Sequence, residues 1–480
     1  MSDLEIIILA AGKGTRMRSA QSKVLHKLAG KSMIAHVTDS VRQLHPKKMH
    51  IVTGHQKQQV EQHLTAYQQQ QHMDIPIHFV EQQQQLGTAH AIKQVLPHLH
   101  PSSIVLIVYG DVPLIATSSL QRLIRHTKQD AQNSIALMTV HLPDPSGYGR
   151  IVRCVADAPR HKNDVQQETQ KEQGKVIAII EDKEADANTR AIKEINTSIM
   201  AVSAAVLSDF IPKINNHNSK GEFYLTDIIS LAVQQGGNIA TEHPDSPLEV
   251  QGVNSFPQLA ELERAYQHKQ AMHLMQSGVH LADPSRFDLR GKLQHDQDVF
   301  IDANVILEGD VTLGKDVVIE AQCIIKNSKI GDGCHIRANS IIEGAHLAST
   351  CTVGPFARIR PGTRLADQVR IGNFVETKNA DIAEGAKVNH LAYMGDIAIG
   401  RHTNIGAGAI HCNFDGKNKH YSRIGDHSFI GSNTAIIGPV HIGSESLLAA
   451  GSVINKDVPD QTMAIARKQQ EIIQKKKKSP

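Results

Sequence analysis

The stretch IGDHSFIGSNTAIIGPVHIGSESLLAAGSVI, Ile424 to Ile454, decides how the second half of this chain folds. Ile424, Ile430, Ile436, Ile442, Leu448 and Ile454 return at every sixth place, often with glycine close behind. That period suits neither the 3.6-residue turn of an amphipathic helix nor the two-residue alternation of a hairpin strand. It fits a β-helix, in which each hexad makes one short strand and a turn, and the inward aliphatic stacks on its equivalent in the next coil. Earlier in the chain aliphatics fall at 301, 307, 313, 319 and 325, then 330, 336 and 342, then 347, 353, 359, 365 and 371. KVNHLAYMGD, Lys387 to Asp396, reads as an interruption of this series, and HCNFDGKNKHYS, His411 to Ser422, as a projecting loop.

The first half has a different grammar. EIIILA, MHIVTG, SIVLIVYG, SIALMTV and KVIAII are short β-branched runs between helix-like segments, which predicts a mostly parallel α/β sheet with its ligand crevice at the strand C-termini. Residues 156–175 are polar and predict an exposed hairpin insertion. SFPQLAELERAYQHKQAMHLMQSG predicts a long joining helix, with a capping box from Ser255 to Gln258 and a stop at Gly278. The expected divisions are therefore 1–254, 255–280, 281–467 and a basic tail, 468–480.

Bulk properties narrow the function classes. The chain has 480 residues, 51 basic against 48 acidic, so its net charge of +3 is too small for a dedicated nucleic-acid binder. Lys475 to Lys478 read as a solvated tail. The acidic start MSDLEIIILAAGKG does not resemble a signal peptide, and no apolar run approaches the ~18 residues of a membrane span. Five cysteines (154, 323, 334, 351 and 412) form no CxxC pair, which favours free thiols. These features predict a soluble, cytoplasmic protein without membrane or nucleic-acid partners.

Candidate chemistry sits at two places. LAAGKGTRM, Leu9 to Met17, follows the first strand but lacks both the Walker A order and the third glycine of a dinucleotide fingerprint. It leaves a tight turn whose N–H groups can face phosphate, with Arg16 and Lys23 to neutralise it. Asp111, at the end of SIVLIVYGD, can hold Mg²⁺. From these residues alone, an ordinary glycine turn and a turn-capping Asp111 read equally well. In the second half, 18 residues separate Arg360 from Lys378, three hexads, so both cations should sit alike on successive coils and can jointly face a phosphate; for two such cations alone a solvated basic face is the default reading. His390 is one of 28 histidines and stands out by its position alone.

LAAGKGTRM, KVLHKLAGKSMI, QLGTAHA, YGDVPL, GYGRI, EINTSI, GEFYLTDI and EVQGVN occur in the order typical of sugar-nucleotide pyrophosphorylases. With the hexapeptide half attached, the chain from residue 4 to about 467 resembles the bacterial bifunctional N-acetylglucosamine-1-phosphate uridylyltransferase/glucosamine-1-phosphate acetyltransferase family. The resemblance implies a Rossmann-like nucleotidyltransferase domain and a left-handed parallel β-helix that assembles as a homotrimer. It implies UTP, acetyl-CoA and glucosamine 1-phosphate as substrates and Mg²⁺ as cofactor.

By motif, Leu9, Ala10, Ala11 and Gly12 would line the nucleotide, with Arg16 and Lys23 at its phosphates. Gln82, Gly87 and Thr88 would read uracil; Tyr109, Gly110, Gly149, Glu181 and Asn196 would hold the sugar and ribose; Asp111 and Asn254 would bind Mg²⁺. In the acetyltransferase, His390 would be the general base, and Arg360, Lys378, Tyr393 and Asn404 would place the sugar phosphate. Ala407, Asn413, Phe414, Ser432, Ala450 and Arg467 match the family's acetyl-CoA contacts, a site commonly built between subunits.

There are three departures. Ser22 stands where the family usually has Pro before Lys23, which predicts a looser loop. Phe414 replaces the usual Tyr, and Arg467 lacks the proline that often follows two residues on. Two alternatives stay open: a lone nucleotidyltransferase with the β-helix as an oligomerisation scaffold, and a non-enzymatic module like the pyrophosphorylase-like nucleotide-exchange subunits of translation initiation.

Overall fold

The computed structural model describes residues 3–129, 135–154 and 174–473. The proposed insertion at 156–175, apart from its last two residues, and Lys475 to Lys478 lie outside them. The chain divides into two compact units, Met1–Glu263 and Arg264–Pro480, each taken by itself below.

Nine strands build the sheet of the first unit among the described residues: β1 (Leu4–Leu9), β2 (Lys48–Thr53), β3 (Ile77–Glu81), β4 (Ile104–Tyr109), β5 (Ile135–His141), β6 (Arg150–Arg153), β7 (Val176–Ile180), β8 (Glu194–Ser203) and β9 (Ile239–Glu242). The order is β9-β5-β8-β4-β1-β2-β3. β1 pairs in parallel with β2 and β4, β2 with β3, and β5 with β9, as expected from the buried apolar runs. β8 runs antiparallel between β4 and β5. KVIAII departs from the parallel expectation: as β7 it forms an antiparallel pair with β6 beside the main sheet.

Both faces of the sheet are covered. Ile6 and Ile8 face a core shared with Ile34, Leu64 and Leu120, whereas Ile7 and Leu9 face one shared with Ile92, Leu207 and Ile228. Burial on both sides is why β1 reads as a continuous aliphatic run instead of an alternating one.

The joining helix is observed over Phe256–Gln276. Ser255 Oγ accepts from the Gln258 N–H at 3.5 Å, but Gln258 Oε1 accepts from the Asn254 N–H at 2.8 Å, so the box closes one residue earlier than expected. Gly278, at φ 105°, ends the helix, with Val279 N–H donating to the Leu274 carbonyl at 3.0 Å and Gly278 N–H to Met275 at 3.1 Å.

The second unit is a parallel β-helix. One face is an eleven-strand stack from His280–Leu281 to Met463–Ala464, and the other two faces form a continuous bent sheet. The hexad aliphatics stack in register: Ile301 on Ile319, Ile336, Val353, Ile371, Val388, Ile405, Ile430 and Leu448 in turn. Each such burial contributes roughly 2 kcal/mol.

KVNHLAYMGD does not interrupt this series. Strands Lys387–His390 and Tyr393–Ile399 continue the stack, with Val388 and Met394 fully buried. The apparent gap arises because Thr377 and His411 occupy inward places usually held by aliphatics. Both are satisfied there: Thr377 Oγ1 bonds Thr363 Oγ1 at 3.2 Å, while His411 reaches the Gly395 carbonyl at 2.5 Å and Ser422 Oγ at 2.8 Å. The true excursion is the segment after Cys412, where Phe414 and Lys419 form an antiparallel bridge before Ser422 re-enters the stack.

Candidate active sites

At the C-terminal ends of β1 and β4 a crevice of about 410 Å³ opens, lined by Leu9, Ala11, Gly12, Lys23, Gln82, Gly87, Thr88, Tyr109, Asp111 and Glu181, all of them expected there. Lys23, in the short turn Lys23–Leu25, hydrogen-bonds Asp111 Oδ2 and Asn254 Oδ1, the latter at 3.1 Å. The Val253 N–H donates to the Asp111 carbonyl at 2.9 Å, which is how Asn254 arrives beside a carboxylate far away in sequence. Two oxygens from separate segments thus converge on one cation, the donor set a hard divalent ion completes with phosphate and water. Among the described residues no cluster of three or more His, Cys, Asp or Glu gathers for a metal.

Gln82, Gly87 and Thr88 are bonded inward. Gln82 Nε2 donates to the Gly87 carbonyl at 3.0 Å and meets His90 Nδ1 at 3.1 Å. Thr88 Oγ1 accepts from the Leu225 N–H at 3.0 Å. Gly87 sits at φ 110°, and a Cβ there would fall on the Phe223 backbone, so only glycine lets the two segments meet. These bonds fix GEFYLTDI as the far wall, where Lys220, Glu222, Tyr224 and Thr226 line the crevice. No residue within that motif was singled out in advance, although the motif itself was the signal.

Ala10 and Gly110 support the floor through backbone bonds to Val52 and Leu9, Asn196 N–H donates to the Gly149 carbonyl at 2.8 Å, and Arg16 is exposed on the turn Thr15–Met17. Burial raises the Glu181 carboxyl, which accepts from Thr226 Oγ1 at 3.2 Å, and burial also raises the Tyr109 phenol.

On the β-helix, His390 is exposed at the end of the strand Lys387–His390, and its Nδ1 lies 3.0 Å from Asn373 Oδ1 on the coil below. An amide oxygen only accepts, so this bond calls for a proton on Nδ1, and a neutral imidazole held this way has its lone pair on Nε2. Along the same corner the Gly408 N–H donates to the His390 carbonyl, Asn433 to Ala407 and Gly451 to Ser432. His390 therefore stands at the foot of a column of small residues, Ala407, Ser432 and Ala450.

Arg360 and Lys378 occupy equivalent places, as the spacing implies, since Ile359 pairs with Thr377. Arg360 Nη1 bonds Glu376 Oε1 at 2.7 Å. Lys378 is held below the usual lysine range, chiefly by the neighbouring Lys419 ammonium, then by desolvation and Arg360. Lys419 is a third cation that sequence reasoning missed, because the folded-back loop brings it there. Tyr393 lies over Gly395, where any Cβ would collide with its hydroxyl.

Three family models match: MobA-like NTP transferase domain over residues 6–182, GMPPB C-terminal domain over 289–375, and bacterial transferase hexapeptide (six repeats) over 421–456. Bifunctional protein GlmU of Cellvibrio japonicus is 50% identical over 471 residues, covering 98% of each chain. Proteins of the same name from Marinobacter nauticus and Pseudomonas putida GB-1 are 46% and 48% identical, over 98% and 97% of this chain and 97% and 96% of theirs. The chain belongs to the GlmU family. It is a bifunctional transferase, a nucleotidyltransferase unit followed by a hexapeptide acyltransferase unit.

Within this GlmU chain the departures acquire physical content. Ser22 has φ −56°, a value proline would impose, and its N–H donates to Gln59 Oε1 at 3.1 Å. The expected looseness is not found; a hydrogen bond that proline lacks pins the loop instead. Asn413 Nδ2 donates to Asp396 Oδ2 at 2.5 Å, and Asn379 to the other oxygen at 2.8 Å, so Asn413 braces the loop through a buried carboxylate. Phe414 is 59% exposed, Arg467 is exposed, and Asn404 lies on the coil stacked on the His390 strand, where it pairs with Lys387. Among the described residues no helix is long and apolar enough to cross a membrane.

Proposed function

We propose that the β-helix unit transfers the acetyl group of acetyl-CoA to the 2-amino group of glucosamine 1-phosphate. The crevice then couples the resulting N-acetylglucosamine 1-phosphate to UTP, giving UDP-N-acetylglucosamine and pyrophosphate. The observation that carries the two-site reading is His390, held by Asn373 at the foot of the small-residue column, in a chain whose Lys23–Asp111–Asn254 cluster is also assembled.

For acetyl transfer, Arg360, Lys378 and Lys419 bind the sugar phosphate, and Tyr393 and Asn404 place the ring. His390 Nε2 takes a proton from the amine as nitrogen attacks the thioester carbon; the C–S bond breaks and the thiolate leaves with a proton. Ala407, Ser432 and Ala450 give the CoA arm a smooth groove, flanked by Asn413, Phe414 and Arg467. The hexapeptide repeats and the exposed Phe414 ring support a homotrimer with sites completed by a second copy.

For uridylyl transfer, the sugar phosphate oxygen attacks the α-phosphorus of UTP and pyrophosphate departs in line, so positioning and charge dominate. Asp111 and Asn254 fit Mg²⁺, which when bound supplies positive charge at the phosphate oxygens. Lys23, released from those two oxygens, turns to the phosphates beside Arg16. Leu9 to Gly12 and the Gln82–Thr88 loop hold the nucleotide; Tyr109, Gly149, Glu181 and Asn196 hold the sugar and ribose. The protein works in the cytoplasm, where both co-substrates are made.

The test is to mix the protein with Mg²⁺, UTP, acetyl-CoA and glucosamine 1-phosphate, following free thiol and pyrophosphate separately. Thiol should appear without UTP, and pyrophosphate should depend on acetyl-CoA unless N-acetylglucosamine 1-phosphate is added. Pyrophosphate release without any thiol release sinks the acetyltransferase half.

A further inference from the structure

Ser198 holds a backbone conformation that glycine adopts freely and serine does not. It lies in β8 at φ 68°, where the register against β5 breaks between Asn196 and Met200. The bulge is pinned by its own side chains: Thr197 Oγ1 donates to the Met138 carbonyl at 2.7 Å, and Ser198 N–H donates to Asn196 Oδ1 at 3.0 Å. From Glu194 to Val202 Ser198 alone is half-buried and the rest are buried; it lines the crevice together with the buried Met200. Its side chain lies by Tyr109, which lines the same crevice, and partly offsets the rise that burial imposes on that phenol. Glycine would remove the strain, so the retained side chain is what the position contributes; left-handed non-glycine residues concentrate at ligand clamps for this reason.

We propose that Ser198 is a sugar-phosphate contact of the uridylyltransferase crevice, its hydroxyl held out by the bulge beside Tyr109 to meet the sugar end of N-acetylglucosamine 1-phosphate. This rests on reading the crevice as the uridylyltransferase site. Ser198 bonds Asn196 through its N–H and neighbours Tyr109 in the crevice lining, both of them assigned to the sugar side, and is separate from the loop around Gly87 assigned to the nucleotide.

Pyrophosphate release by the full-length protein with Mg²⁺ tests it in S198A, S198G and, as a control on the site, Lys23→Ala. Loss of one neutral hydrogen bond should raise KM for N-acetylglucosamine 1-phosphate about 3- to 10-fold in both serine variants, leaving kcat and the KM for UTP within about twofold. S198G should also melt at a higher temperature than the wild type, because the strain is gone. A more stable enzyme that holds the sugar phosphate less tightly is a result that a merely structural serine does not give. Unchanged KM for the sugar phosphate, a shift in the KM for UTP instead, or a lower melting temperature in S198G overturns the proposal. If those results come with an inactive Lys23→Ala, the reading of the crevice survives; an active Lys23→Ala overturns that reading, and the proposal falls with it.

Discussion

On the proposed reading the crevice of the first unit and the corner of the β-helix each receive a phosphate, and their cations are arranged in opposite ways. In the crevice, Lys23 is neutralised by the Asp111 carboxylate and hydrogen-bonded to Asn254 Oδ1, so binding exchanges one partner for another. On the β-helix, Arg360 has Glu376, but Lys378 and Lys419 face each other, and the repulsion shows as a depressed Lys378. One site is compensated within a folded cavity. The other is an exposed positive field that waits for its anion, and it will respond more strongly to salt.

Separability is the sharpest way to break the comparison. Asp111→Ala should cut uridylyl transfer roughly a thousandfold or more and leave acetyl transfer near wild type; His390→Ala should do the reverse, by about a hundred- to a thousandfold. Loss of both activities from either change would point to one shared site. Next in size, Lys419→Ala should raise KM for glucosamine 1-phosphate about tenfold and flatten its salt dependence; kinetics at two ionic strengths decide, and an unaltered salt slope removes Lys419 from the phosphate site.

Asn373→Ala should lower the acetyl-transfer kcat by about fivefold while KM holds, because it frees the tautomer and leaves the substrate contacts alone. An equal change in KM would instead make Asn373 a binding residue. The smallest expected effect is one of stability. His36 is buried on the helix Met33–Arg42, and its pKa falls to about 4, chiefly through burial. The unfolded chain takes up the proton near pH 6.5, so its stabilisation is complete above that pH and is lost as pH falls toward 4, at most about 3 kcal/mol. Denaturant unfolding at pH 7 and pH 4.5 should show this loss in the wild type and less of it in His36→Gln.

The two units were legible to different depths. The hexad series located the β-helix because burial of each rung needs an aliphatic at a fixed interval. It misread Lys387–Asp396, since Thr377 and His411 fill inward places through hydrogen bonds that composition does not reveal. In the first unit the glycine turn and the strand ends were plain, but β3, β8 and β9 were not identified as strands, and KVIAII was placed in the wrong kind of pairing. A short apolar run carries no sign of the direction in which its partner runs.

The sequence by itself determined the unit types and pointed to both candidate centres, because periodicity and motif order are one-dimensional quantities. Tertiary structure alone decided which groups meet: Asn254 with Asp111, Asn373 beneath His390, Lys419 against Lys378, and Ser198 turned outward on a bulge. Each of these depends on how distant segments stack or fold back, and that is fixed by burial and hydrogen bonding across the fold, not by spacing along the chain.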